Sequence, residues 1–113
     1  MDSLQIEITP EQGGVQLFKL SGPFTISTMF DFQQLVREHT APVTLIDLAE
    51  VPYMDSAALG ALLGFHVSCG REGRKYGLVA VSDRLKTLFK VAGVQGILVG
   101  YPSVEAARAA VAT

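Results

Sequence analysis

Three polar residues near the middle of the chain are of types that carry out covalent chemistry together. Asp55 and Ser56 are adjacent in "YMDSAALGALLGF" (53–65), and His66 follows it directly. Serine, histidine and an acid are the parts of a hydrolytic triad, in which the imidazole must lie within hydrogen-bond reach of the hydroxyl. The run reads as a helix, which puts His66 ten residues and almost three turns beyond Ser56, out of reach. The Gly-x-Ser-x-Gly elbow of serine hydrolases is also absent, because Ser56 sits in "MDSAA". An enzyme is not expected. A second chemistry needs fewer parts. A hydroxyl at a helix N-terminus lies in the positive field of unpaired backbone N–H groups, where a phosphoryl group is tolerated. Phosphorylation would add about −1.5 to −2 charges at pH 7. With Asp55 next door adding repulsion, a partner covering that helix end would be expelled. The plainer role for the same hydroxyl is an N-cap, which contributes about 1 kcal/mol.

The remaining chemistry-bearing residues are sparse. Cys69 is the only cysteine, which excludes an intrachain disulfide and a cysteine-based metal site. His39 has no partner visible in the sequence, and no metal-ligand spacing or phosphate-cradling glycine loop occurs. No cofactor and no metal are expected. The net charge is −2 and Lys and Arg do not cluster, so the chain has no electrostatic footprint for direct nucleic-acid binding. "MDSLQIEITP" does not read as a secretory signal. The longest apolar stretch, 57–65, is too short to cross a bilayer. Together these predict a cytoplasmic protein without membrane insertion. At 113 residues, 49% hydrophobic and 18% charged, the chain predicts one globular domain over 1–113.

The elements that must position Ser56 follow from periodicity. "LQIEI" (4–8) alternates and "VQLFKL" (15–20) is a second strand, with the Pro/Gly turn "TPEQGG" making the two a hairpin. A helix is predicted from Ser27 or Thr28 to His39, with hydroxyls at its start to accept first-turn N–H groups and with Phe30, Leu35 and Val36 at helical spacing. "APVTLIDL" (41–48) is a continuous apolar strand of the kind covered on both faces. Pro52 breaks the chain before the helix opened by Asp55 and Ser56, which runs to about Gly70. "GLVAV" (77–81) is the next strand, and Ser82 or Asp83 caps a helix over 84–92. "GVQGILVGY" holds a last short strand, and Ser103 caps a helix to the C-terminus. The order β-β-α-β-α-β-α-β-α predicts an α/β fold with a mixed, mostly parallel sheet, an N-terminal hairpin and about four helices.

On the central helix, with Ser56 as cap, Leu59, Leu62, Leu63 and His66 share one broad face, assigned to the sheet. Gly60 and Gly64 lie one turn apart, and each costs about 1 kcal/mol relative to Ala in a helix interior. Close approach of another backbone, as in a packing groove, is the expected reason. Ala58, Ala61 and Phe65 form an apolar stripe on the far side with two open readings. One is packing against a neighbouring helix, and the other is a partner-binding surface running down from Ser56.

"LIDLAEVPYMDSAALGALLG" resembles the signature of STAS domains, the family named for sulphate transporters and anti-sigma-factor antagonists. Asp47-Leu48, Val51, Met54-Asp55-Ser56, Leu59-Gly60 and Gly64 fall on that pattern, and the likeness continues through "YGLVAVSDRLKTLFKVAGVQGILVGYPSVEAA". The resemblance implies an anti-sigma-factor antagonist. Such proteins bind an anti-sigma factor that is also a serine kinase, are disabled by its phosphorylation of the serine matching Ser56, and are restored by a metal-dependent serine phosphatase. Asp55 is then expected to orient the phosphoacceptor loop and Asp47, at the strand end, to lie close to it. Two positions depart from the pattern. Ala58 replaces a glycine, and Gly22-Pro23-Phe24-Thr25 replaces Gly-Glu-Leu-Asp, so Thr25 stands where relatives carry an acidic residue beside the phosphorylation site. The alternative that the family offers is an adaptor or scaffold independent of phosphorylation, such as a cytoplasmic component of a lipid transporter.

Overall fold

The computed structural model describes residues 3–111. The N-terminal hairpin joins β1 (Gln5–Pro10) to β2 (Val15–Ser21), antiparallel, with Ile6 opposite Leu20 and Ile8 opposite Phe18. From β2 onward strands and helices alternate: α1 (Met29–Glu38), β3 (Val43–Glu50), α2 (Ser56–Glu72), β4 (Lys75–Val79), α3 (Asp83–Val91), β5 (Gly100–Tyr101) and α4 (Val104–Val111). The sheet order is β1-β2-β3-β4-β5, parallel at every junction after the hairpin. This is the predicted α/β architecture.

Alternation along each strand divides two cores. Phe18, Leu20, Ile46, Leu48 and Leu78 face α1, α2 and α3, and Val15, Val43, Leu45 and Val79 face α4. The larger core holds an edge-to-face aromatic series: Phe24 to Phe32 at 5.2 Å, Phe32 to Phe65 at 6.1 Å and Phe65 to Tyr76 at 5.5 Å between centroids. It fixes the loop after β2, α1, α2 and β4 to one another, and each fully buried Phe contributes about 1.5–3 kcal/mol. On the opposite side, Arg108 of α4 pairs with Glu11 in the hairpin turn. The buried Gln16 amide donates to the His39 carbonyl at 2.6 Å and to Thr44 Oγ1 at 3.0 Å, which binds the end of α1 to the sheet.

Several boundaries differ from the sequence reading, each for a local reason. Helix α1 begins at Met29, and Thr28 gives it no side-chain cap. The Thr28 hydroxyl instead donates to the Pro23 carbonyl at 2.9 Å and accepts from Thr25 N–H. Phe30 is not part of the core but 62% exposed, and Phe32 and Val36 are the buried residues of α1. Strand β4 starts two residues early, because Gly73 ends α2 in the left-handed conformation (φ 70°), and it stops before Ala80, whose φ is 56°. Gly22 admits no side chain, since its φ is 113° and a Cβ would lie 2.3 Å from the Ser3 carbonyl oxygen. That turn releases the chain from β2 towards the N-terminus of α2.

Candidate functional site

Parallel strands place the loops after β2 and β3 together at one end of the sheet. The Phe24 N–H donates to the Tyr53 carbonyl at 3.1 Å and the Asp55 N–H to the Phe24 carbonyl at 3.2 Å, a parallel bridge pairing Phe24 with Met54. Asp55 completes the join. Its Oδ1 accepts the Ala58 N–H at 2.9 Å, while Oδ2 accepts the Ile26 N–H at 2.9 Å.

Asp55 is thus the cap of α2, where the sequence reading placed Ser56. Either side chain can accept from the first turn. The carboxylate has the advantage of full negative charge at the positive helix end and a second oxygen for Ile26. Ser56 becomes the first helical residue, exposed, and its hydroxyl makes no hydrogen bond among the described residues. A free hydroxyl beside the helix N-terminus can accept a phosphoryl group.

The other expected site residues distribute unevenly. Thr25 lies in the loop tied to Asp55. Its carbonyl accepts N–H bonds from Thr28 and Met29, at 3.0 and 2.8 Å, and its hydroxyl accepts from Ser27 at 3.3 Å. Asp47 is not at a strand end, since β3 continues to Glu50. It alternates with Val43 and Leu45 on the face that α4 covers, away from α2, and its Oδ1 accepts the Ala49 N–H at 2.9 Å.

Ala58, Ala61 and Phe65 do not form a surface. They are 0%, 6% and 4% exposed and sit in the larger core, with Phe65 against Phe32 of α1. The neighbouring-helix reading is the one that holds, and the partner-surface reading of this stripe is overturned. The sheet-facing side of α2 is correspondingly rotated, with Leu59 and Leu62 buried but Leu63 and His66 only half-buried.

The exposed side of α2 carries Ser56, Gly60 and Gly64, spaced one turn apart, and ends at Val67, 58% exposed. A Cβ added to Gly60 or Gly64 would meet nothing within 4 Å, so neither glycine serves packing inside the chain. Gly64 instead lines an open hollow of about 280 Å³ between α1 and α2, which no backbone of this chain fills. Ile26 and Tyr53, 58% and 40% exposed, lie on the two stitched loops that lead to Ser56, and Phe30, 62% exposed, is in the first turn of α1. Sequence reading did not single out these three as surface; for Ile26 and Phe30 the signal was apolar residues in "GPFTISTMF" beyond the capacity of a short loop to bury, and for Tyr53 an aromatic next to Pro52 in an irregular connection.

Among the described residues no histidine is hydrogen-bonded to Ser56. His66 Nδ1 is hydrogen-bonded to the Tyr76 hydroxyl at 2.9 Å, and the rings meet edge to face. Burial pushes Tyr76 up to about 12, reinforced by nearby Cys69. Burial likewise raises the Cys69 thiol, against the lowering influence of Arg74, leaving it a packed and unreactive group. Among the described residues no cluster of metal-ligating side chains occurs, and no helix is long and apolar enough to cross a membrane.

The architecture is a mixed α/β sheet flanked by four helices, and sequence comparison gives its family. Residues 8–107 match the STAS domain, and the chain belongs to that family. The anti-sigma-B factor antagonist of Listeria monocytogenes is 41% identical over 56 residues, covering 50% of this chain and 49% of that protein. The alignment thus spans about half the relative's length. The anti-sigma-B factor antagonist of Staphylococcus aureus is 24% identical over 99 residues, covering 85% and 91%. In three dimensions the chain is similar to an anti-sigma factor antagonist from Mycobacterium paratuberculosis, with a TM-score of 0.86, 23% identity and coverage of 99% and 97%.

Proposed function

We propose that this protein is an anti-sigma-factor antagonist whose docking face is the N-terminal half of α2 with the loops beside it. Phosphorylation of Ser56 switches it off. The observation that carries the reading is the division of labour at residues 55 and 56. Asp55 performs the capping, and Ser56 is left exposed with an uncommitted hydroxyl. The partner is an anti-sigma factor that is also a serine kinase, and a metal-dependent serine phosphatase restores the unmodified form. Both Asp55 carboxylate oxygens are occupied by backbone N–H groups, and in this reading both chemical steps belong to those enzymes.

The surface is suited to reversible docking. Gly60 and Gly64 allow a partner backbone to approach α2 closely, and Ile26, Phe30 and Tyr53 supply apolar area around Ser56. A phosphoryl group there would place about two negative charges beside Asp55 under the partner, where desolvation and like-charge repulsion oppose binding.

Calorimetry with the anti-sigma factor of the same host tests the proposal. Ser56→Ala should bind like the wild type. Ser56→Asp should bind at least tenfold more weakly, a change of about 1.4 kcal/mol. Aspartate in the first turn favours the helix by about 0.3–1 kcal/mol, so lost binding would not reflect unfolding. Equal binding of all three forms would overturn the switch. It would favour the phosphorylation-independent adaptor, for which the uncharged Thr25 is the supporting feature.

A further inference from the structure

The hollow beside Gly64 has a mostly polar lining. Arg37 of α1 contributes to one wall, Gly64, Ser68 and Glu72 of α2 to the other, and Arg74, in the turn before β4, completes it. Two cations stand there against one acid.

Arg74 differs from an ordinary surface cation. Its side chain is 13% exposed, and its guanidinium carbon lies 5.8 Å from the centroid of the Phe65 ring. Nε and Nη2 both turn to a single oxygen, Glu72 Oε1, at 2.9 and 2.8 Å. That occupies one edge of the planar fork. Nη1, on the other edge, is buried and has no hydrogen-bond partner among the described residues. A guanidinium has only donors, so an oxygen acceptor must complete it, and a buried charged donor left unmatched is costly. The group that best fits the remaining edge is a second carboxylate, which takes two parallel N–H bonds from Nη1 and Nη2. The Phe65 ring and Glu72 already hold the guanidinium in place, so little ordering is lost on pairing.

Position indicates where that carboxylate comes from. Ser56, Gly60, Gly64 and Ser68 form one i, i+4 row on α2, and both glycines have open space where a Cβ would stand. Ser68 lies about 18 Å along the helix from Ser56. A standard interface covers about 800 Å² of each partner, enough to take in both ends of this row. The hollow is therefore continuous with the docking face proposed above, and its excess of one positive charge complements a single acidic side chain.

We propose that the hollow between α1 and α2 receives an acidic side chain of the anti-sigma factor, its carboxylate on Arg74, while the partner's backbone passes over Gly60 and Gly64. Arg37 adds charge to the same hollow. This deepens the docking reading and rests on it.

Calorimetry of the unphosphorylated full chain with the anti-sigma factor of the same host tests the assignment. Arg74→Gln should weaken binding about tenfold, Arg37→Gln about threefold, and Ser68→Asp, which adds a carboxylate to the wall of the hollow, about tenfold. Glu72→Gln removes the competing carboxylate and should tighten binding about threefold. Glu72 is 47% exposed and its ion pair contributes little to folding, so Glu72→Gln and Ser68→Asp keep the test open if Arg74→Gln fails to fold. A loss in Arg74→Gln with Ser68→Asp and Glu72→Gln unchanged would overturn the proposal, because only the fold would then depend on Arg74. Weaker binding by Glu72→Gln would overturn it as well. Ser56→Asp, measured alongside, separates the two readings. If it binds weakly while every hollow variant binds like the wild type, the hollow proposal falls and the switch stands. If the hollow variants behave as expected and Ser56→Asp binds like the wild type, the hollow stands and the switch falls. A wild type that does not bind the anti-sigma factor overturns both.

Discussion

Asp55 divides its carboxylate between two elements, and a pair of substitutions separates the two tasks. Asp55→Asn keeps an oxygen to cap the Ala58 N–H but presents an amide to the Ile26 N–H, so the loop after β2 loses its tie while the helix keeps its cap. Asp55→Ala loses both. Chemical denaturation should show Asp55→Ala destabilised by about 2 kcal/mol and Asp55→Asn by about half that, in line with measured caps and side-chain hydrogen bonds. Equal losses would mean the cap on the Ala58 N–H contributes nothing, and an unchanged Asp55→Asn would mean the bond to Ile26 contributes nothing. The sequence showed that 55 and 56 open a helix but not which one caps it. Both are good caps, and the choice was settled by a long-range bond to a residue 29 positions away. The placement of Asp47 was hidden for a similar reason. A strand's last residue is the least legible feature in a sequence, and three more residues of β3 move Asp47 off the strand end.

The composition of α2 lets the proposed docking role of its exposed face be tested. Gly60 and Gly64 have open space where a Cβ would go, so alanine at either position should stabilise the isolated protein by about 0.5–1 kcal/mol. The same changes should weaken binding to the anti-sigma factor, because a methyl group would stand between two close backbones. Thermal denaturation and calorimetry on Gly60→Ala and Gly64→Ala test both halves. A gain in stability with unchanged affinity would remove these glycines from the docking face. Periodicity exposed the existence of α2 but misjudged its rotation. Ala58, Ala61 and Phe65 resemble a surface stripe only if the helix packs on one neighbour. Here it packs on both the sheet and α1, and the buried arc widens to include them. Conversely, the two-residue β5 was legible only as a strand somewhere in a nine-residue segment, since so short a ladder leaves little alternation to read.

Across the whole molecule, the order of strands and helices was legible because each element carries its own period and the connections are short. The end of the sheet that carries the proposed site was legible only in part, because contacts between loops distant in sequence leave no periodic trace. The same packing that joins the elements makes the fold sensitive to alkali. Tyr76, at the junction of β4, α2 and the aromatic series, has its hydroxyl pushed up to about 12 by burial. An unfolded tyrosine releases its proton near pH 10. Between these values the unfolded chain binds fewer protons than the folded one, so stability falls as pH rises. The contribution is fully present below pH ~10 and is lost as pH passes through the folded value. Denaturation followed from pH 9 to 12 should show this decline in the wild type and a shallower one in Tyr76→Phe. Identical profiles would show that Tyr76 does not govern the alkaline limit.

The central claim is that a phosphoryl group on Ser56 controls docking, and peptide mass spectrometry of the protein isolated from its own host under two growth conditions tests it most directly. The account predicts a phosphoryl group on Ser56 whose occupancy changes with condition and which is absent from Ser56→Ala. A Ser56 peptide that is fully covered and unmodified in both conditions would contradict it.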